Sequence, residues 1–195
     1  GVSCQLNYQG RRWQVHSPLL GKFSVYTILR AAGTALVTGL SWQDIQAGLE
    51  VSKVDIRMRH FSLPDGLTVL DDTYNASPAS TLAALKVLEG LEGHRVAILG
   101  DMLELGAYER EGHQAVGKLA AKTADVLILV GERAKIIAGA AIEDGFSQEQ
   151  LHWYPDSTLA AKEIGWLLHE GDTVLVKGSN SMHMDRILDA LEVLP

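Results

Sequence analysis

From about residue 53 onward, short and continuously apolar runs alternate with helical stretches. The runs are 67–70, 96–99, 126–130 and 174–176, with a weaker one at 151–154. The helical stretches are 80–91, 110–123, 134–144, 158–170 and 184–194. Runs that are apolar throughout, rather than at every second residue, fit strands covered on both faces. Strand–helix repetition specifies parallel strands joined by right-handed crossovers. The expected fold class is therefore α/β, a mostly parallel sheet with helices on both faces. Punctuation agrees: Gly90, Gly93 and Gly145 follow helical stretches, and Pro78 suits a first helical turn.

Residues 1–52 have another rhythm. Two alternating runs, 2–8 and 11–16, meet at Gln9-Gly10 and read as a β-hairpin in which Gly10 supplies a positive φ. A helix is expected over 25–38, and Ser41 caps a second over 42–50. One hairpin and two helices are marginal alone. This part is thus expected to be the tail of a larger domain, joined by a linker at 51–55. It is expected to expose apolar surface around Leu19, Leu20, Ile28 and Leu36 and to self-associate through that face.

Composition narrows the function. The net charge of −7 argues against non-specific nucleic-acid binding and against an anionic membrane surface. Cys4 is the single cysteine, so there is no intrachain disulfide framework and a reducing compartment fits. No apolar run reaches the roughly 18 residues of a membrane span, and the first residues do not read as a leader. A cytoplasmic location and no membrane insertion are expected. No Gly-x-x-x-x-Gly-Lys-Ser/Thr and no Gly-x-Gly-x-x-Gly occurs. The seven histidines show no zinc-ligand spacing, so no metal site is assigned. His113 is expected at the surface or as a cap.

In open α/β sheets, ligands bind beyond the carboxyl ends of the strands. Polar, small and charged residues gather there. Asp71-Asp72-Thr73-Tyr74-Asn75-Ala76-Ser77-Pro78 follows the first run, and Gly100-Asp101-Met102-Leu103-Glu104-Leu105-Gly106 the second. Gly131-Glu132-Arg133 follows the third, and Lys177-Gly178-Ser179-Asn180-Ser181 the last. Helix-start N–H groups, a lysine and Asp or Asn side chains suit an anionic, hydroxyl-bearing ligand. Turn and cap duty is the plainer alternative.

Taken in order, the Asp71–Pro78, Gly100–Gly106 and Lys177–Ser179 motifs resemble the C-terminal half of the Mur ligase family. The first two match the branch that joins D-Ala-D-Ala to a UDP-linked muramoyl tripeptide. The resemblance spans nearly the whole chain. It implies a Rossmann-like C-terminal domain over 53–195, preceded over 1–52 by the end of a central ATPase domain. It implies a cytoplasmic ATP-dependent ligase of peptidoglycan synthesis. ATP and Mg2+ would be the cofactors, the peptide carboxylate would be activated as an acyl phosphate, and the dipeptide amine would attack it.

By the same resemblance, Arg57 would reach the ATP phosphates, Asp72 the ribose, and Tyr74 and Asn75 the adenine and its ribose. Asp101, Met102, Glu104, Lys177 and Ser179 would face the dipeptide. Alternatives stand beside these roles. Arg57 is a solvated charge, Asp72 a helix cap, Tyr74 a core residue, Met102 packing, and Glu104 a surface turn residue. No catalytic residue and no triphosphate cradle is expected within this chain, so it is expected to be inactive alone.

Departures from the family pattern are Ser24 and Thr27 in place of two amides, Ile56 and Arg59 in the linker, and Asn180 and Ser181 after Lys-Gly-Ser. They keep two rivals open: a non-catalytic binding module on the same fold, and a related ligase with another substrate.

Overall fold

The computed structural model describes residues 1–51, 58–64 and 66–192. It divides into two compact units, Gly1–Asp55 and Ile56–Pro195. Arg57 and residues 52–55 of the expected linker lie outside the described residues.

The first unit is a hairpin with two helices. Strands β1 (Val2–Tyr8) and β2 (Arg11–Ser17) pair antiparallel. Gln9 and Gly10 both take positive φ at the turn, the backbone twist that a two-residue hairpin needs. Helices α1 (Ser24–Val37) and α2 (Trp42–Glu50) follow, and the Ser41 hydroxyl accepts the Asp44 N–H as cap. Leu6, Val15, Ile28, Ala32, Ile45 and Leu49 form a small core. The Trp13 and Trp42 rings stack at 4.8 Å between centroids.

The exposed apolar residues of this unit are only partly those expected. Ile28 is fully buried, and Leu19, Leu20 and Leu36 are partly buried. Helical spacing explains it: Ser24, Ile28 and Ala32 lie four residues apart on the inner face of α1. The outward residues are Tyr26, Leu29 and Val37, the last 89% exposed. Leu29, Leu36, Val37 and Trp42 help to line an open apolar groove of about 390 Å³.

The second unit is a six-stranded sheet in the order β3-β4-β8-β5-β6-β7. The strands are β3 (Arg59–Ser62), β4 (Thr68–Asp72), β5 (Arg95–Gly100), β6 (Val126–Val130), β7 (Leu151–Tyr154) and β8 (Thr173–Lys177). All pair parallel except β3, which runs antiparallel to β4 at the edge. The helices are α3 (Pro78–Glu89), α4 (Glu109–Thr123), α5 (Ala134–Glu143), α6 (Ser157–Glu163) and α7 (Asp185–Leu191).

Helix α4 packs against both α3 and α5, and α6 packs on α7. That division follows from right-handed crossovers. Steps β4 to β5, β5 to β6 and β6 to β7 run one way along the sheet, and the step back to β8 runs the other. Alternate strand residues serve the two layers; Val96, Ile98, Ile128, Val174 and Val176 pack with Ile164 of the α6 side and Ile187 of α7.

Two helices are shorter than expected. The stretch 158–170 gives α6 and then a 3-10 turn, Ile164–Trp166, at Gly165, where helix propensity is poor. The stretch 184–194 gives a helix ending at Leu191, with 193–195 outside the described residues. No described helix is long and apolar enough to cross a membrane.

Candidate functional site

Strand β8 enters between β4 and β5, so the reversal of strand order lies there, where open α/β sheets bind ligands. Register puts Asp72 of β4 and Leu99 of β5 on either side of Lys177. Beyond them the backbones close up. A Cβ on Gly100 would sit 3.3 Å from the Gly178 Cα and 2.9 Å from the Met184 sulfur. Glycine at both positions lets the two loops run side by side.

Lys177 is 1% exposed. Its ammonium lies 2.6 Å from an Asp72 carboxylate oxygen and donates to the Asn75 carbonyl at 2.7 Å. A buried ammonium requires such partners, because unpaired charge is costly away from water. Asn180 donates to the Tyr74 carbonyl at 3.2 Å. The loop carrying Tyr74 and Asn75 is therefore held by the loop after β8. Tyr74 is 64% exposed, which removes the core alternative for it. Asp72 does not cap α3. Ser77 does, in a reciprocal capping box with Ser80, and Pro78 occupies the first turn.

Asp101, Met102 and Glu104 part company within one loop. Asp101 is buried and accepts the Ala134 N–H at 2.8 Å, so it caps α5 from a neighbouring loop. The cap position of α5 itself, Arg133, offers no side-chain bond. Gly131 makes room: a side chain there would run into the Asp101 carboxylate. Met102 is buried, its sulfur 3.5 Å from the Thr81 hydroxyl. Glu104 is exposed and left-handed at φ 61°, a conformation that non-glycine residues seldom adopt. Ser179 is buried; its hydroxyl accepts the Leu103 N–H at 2.8 Å, and its own N–H donates to the Asp101 carbonyl.

Three further residues complete the rim. Asp71, the neighbour of Asp72, points to the opposite side of the strand. It accepts Arg59 Nε at 2.8 Å and the Thr73 N–H at 3.0 Å, fastening edge strand β3. Arg133 binds Glu109 at 2.7 Å; that hydrogen bond and the Glu109 charge raise its pKa, with Asp101 adding a smaller push. His113 is wholly buried rather than at the surface, and its Nε2 accepts the Met102 N–H. No described group of three or more His, Cys, Asp and Glu side chains is placed to hold a metal ion.

The family model described as "Mur ligase, glutamate ligase domain" matches residues 56–180. The chain is 34% identical over 180 residues to the UDP-N-acetylmuramoyl-tripeptide–D-alanyl-D-alanine ligase of Escherichia coli, covering 90% of this chain and 38% of the relative. It is 35% identical over 176 residues to the ligase of the same description from Synechocystis, covering 89% and 38%. A crystal structure of MurF from Acinetobacter baumannii superimposes with a TM-score of 0.81 at 29% identity, over 97% of this chain and 42% of that one. The chain thus spans about two fifths of the length of the curated relatives it matches.

Proposed function

This chain belongs to the Mur ligase family, and on that premise we propose that it forms the C-terminal part of an ATP-dependent ligase that adds D-Ala-D-Ala to a UDP-N-acetylmuramoyl tripeptide in the cytoplasm. The observation that supports this reading is the meeting of the three motifs at the β4–β8–β5 strand ends. The relatives named for that reaction match about nine tenths of this chain.

ATP supplies the phosphoryl group that turns the peptide carboxylate into a mixed anhydride, which the dipeptide amine opens with loss of phosphate. The residues here fit one end of that nucleotide. The exposed Tyr74 ring offers a stacking face. The exposed Asn75 uses its side-chain oxygen on the Ala76 N–H and leaves its amide donors for a ribose or base. Asp72, which the resemblance gives to the ribose, is paired with Lys177, and the two hold this surface in place. Lys177, which the resemblance places on the dipeptide side, bonds Asp72 and the Asn75 carbonyl, in the loop that this reading gives to the nucleotide. Among the described residues none is assigned to magnesium.

On the amine side, Glu104 is the exposed carboxylate of the 101–106 loop and would receive the dipeptide ammonium. Asp101, Met102 and Ser179 act behind it: their bonds and packing set the loop rather than touch the substrate.

Nitrogen-15 NMR titration of this chain tests the assignment. ADP is expected to shift residues 72–77, and D-Ala-D-Ala residues 103–106, as two distinct sets along the same strand-end edge. If neither ligand shifts its loop at millimolar concentration, the ligand-binding reading falls and the non-catalytic module on this fold takes its place. Asn75→Ala should weaken ADP binding by about threefold to thirtyfold, the worth of one or two hydrogen bonds.

A further inference from the structure

Loop 101–106 has three successive backbone N–H groups to satisfy at its start. Asp101 donates to the Val130 carbonyl at 3.1 Å, and Leu103 to the Ser179 hydroxyl at 2.8 Å. Between them, Met102 donates to Nε2 of His113 at 3.1 Å. The other ring nitrogen, Nδ1, lies 2.7 Å from the Glu109 carbonyl, one turn earlier on α4. A carbonyl only accepts, so Nδ1 carries a proton; an amide N–H only donates, so Nε2 carries none. The partners therefore hold the ring neutral and in one tautomer, with no exposed surface.

The helix is seated for this contact. A Cβ on Gly112 would stand 2.5 Å from Pro78 Cγ and 3.5 Å from a Leu105 methyl. Its absence lets α4 lie against the first turn of α3 and the end of the loop, which brings His113 beneath Met102. Two residues further on, Glu104 sits at φ 61°. A non-glycine residue stays there only where its surroundings over-determine it.

We propose that His113 is a positioning residue. Its Nδ1-protonated imidazole pins the Met102 amide, and so fixes the loop that presents Glu104. The consequence for substrate rests on the amine-side reading above; the pinning does not.

The full chain is tested by NMR of its imidazole nitrogens and by amide exchange. In the wild type, His113 should show a protonated Nδ1 and a bare Nε2 near neutral pH. The opposite tautomer, or a doubly protonated ring, overturns the proposal without any variant. His113→Leu removes the acceptor, and His113→Gln restores one. Met102 amide exchange should quicken at least about tenfold in the leucine variant and stay within about threefold in the glutamine variant, with Ala97 of β5 unchanged in both. Unchanged exchange at Met102, or equal acceleration at Met102 and Ala97, overturns it. Should His113→Leu fail to fold, the wild-type tautomer and the glutamine variant still decide. D-Ala-D-Ala titration separates the two readings. Weaker dipeptide shifts at Glu104 in His113→Leu, restored by His113→Gln, extend the pinning to substrate. A wild-type chain deaf to the dipeptide sinks the amine-side reading, while the tautomer and Met102 exchange still decide the pinning.

Discussion

The two units solve the same burial problem with different means. The Ile56–Pro195 unit covers a sheet on both faces; its strands β6 and β8 are buried along their whole length, and β5 from Val96 onward. The Gly1–Asp55 unit has one hairpin and two helices around an apolar cluster of six described buried residues, and leaves Tyr26, Leu29 and Val37 outside. The difference reaches function through strand direction. Parallel strands end together, so β4, β5, β6 and β8 deliver their loops to one edge, where Asp72, Glu104, Arg133 and Lys177 collect. An antiparallel hairpin sends alternate ends to opposite edges and gathers no such rim.

The largest expected effect comes from emptying each core in turn. Ile128 on β6 and Ile28 on α1 are both fully buried. Truncation to alanine at such sites costs about 2–5 kcal/mol. In the larger unit Ile128→Ala should lower the unfolding midpoint and keep a single cooperative transition. In the smaller unit the same loss approaches all the stability that a domain of this size holds, about 3–5 kcal/mol. Ile28→Ala should abolish exchange protection in α1 and β2 while β5 and β6 keep theirs. Residue-resolved hydrogen exchange checks this. Equal loss of protection in β6 would show that the two units unfold as one.

A pair of helix glycines sharpens the contrast. Gly117 on α4 faces α5: a Cβ there would overlap the Ile137 carbonyl and lie 2.9 Å from the Ala140 Cβ. Gly33 on α1 has nothing within 4 Å. Gly117→Ala should destabilise the larger unit by about 1–3 kcal/mol through overpacking. Gly33→Ala should stabilise the smaller by about 0.5–1 kcal/mol through helix propensity. Denaturant midpoints measure both, and equal effects of one sign would remove the difference in packing from the account.

The same contrast shows what a sequence reveals. Runs 96–99 and 126–130 were legible because two-sided burial leaves no polar position to confuse them. Strand β3 was not, since Arg59-His60-Phe61-Ser62 has one partly buried apolar residue and exists through its pairing with β4. The motifs marked the strand ends, and the sheet brings them together. Their division of labour was hidden, because it depends on which way each side chain turns. Asp71 and Asp72 are adjacent letters, yet one holds Arg59 and the other Lys177. Asp101 reads as a rim carboxylate until α5 is seen to start against it. The burial of His113 comes from a loop eleven residues earlier, so no local pattern announces it.

The smallest expected effect concerns pH. Tyr154 on edge strand β7 is partly buried against the core of the larger unit. Burial raises its pKa above the ordinary value of about 10, and the Glu163 carboxylate adds to the rise. A raised folded value means that the folded state keeps the phenol proton after the unfolded chain has lost it. The stabilisation is therefore complete below pH ~10 and fades as pH climbs through the folded value. Tyr154→Phe removes this dependence and keeps the ring. The difference in midpoint between wild type and variant should hold steady up to about pH 9.5, then move against the wild type, since the variant has no phenolate to expose. The shift should be small, because solvent reaches part of the ring and screens Glu163. It should be confined to the larger unit, with exchange in α1 and β2 untouched. Parallel alkaline loss in both proteins would mean that Tyr154 is as well solvated as a residue of the smaller unit's outer face, and that two-sided burial stops short of β7.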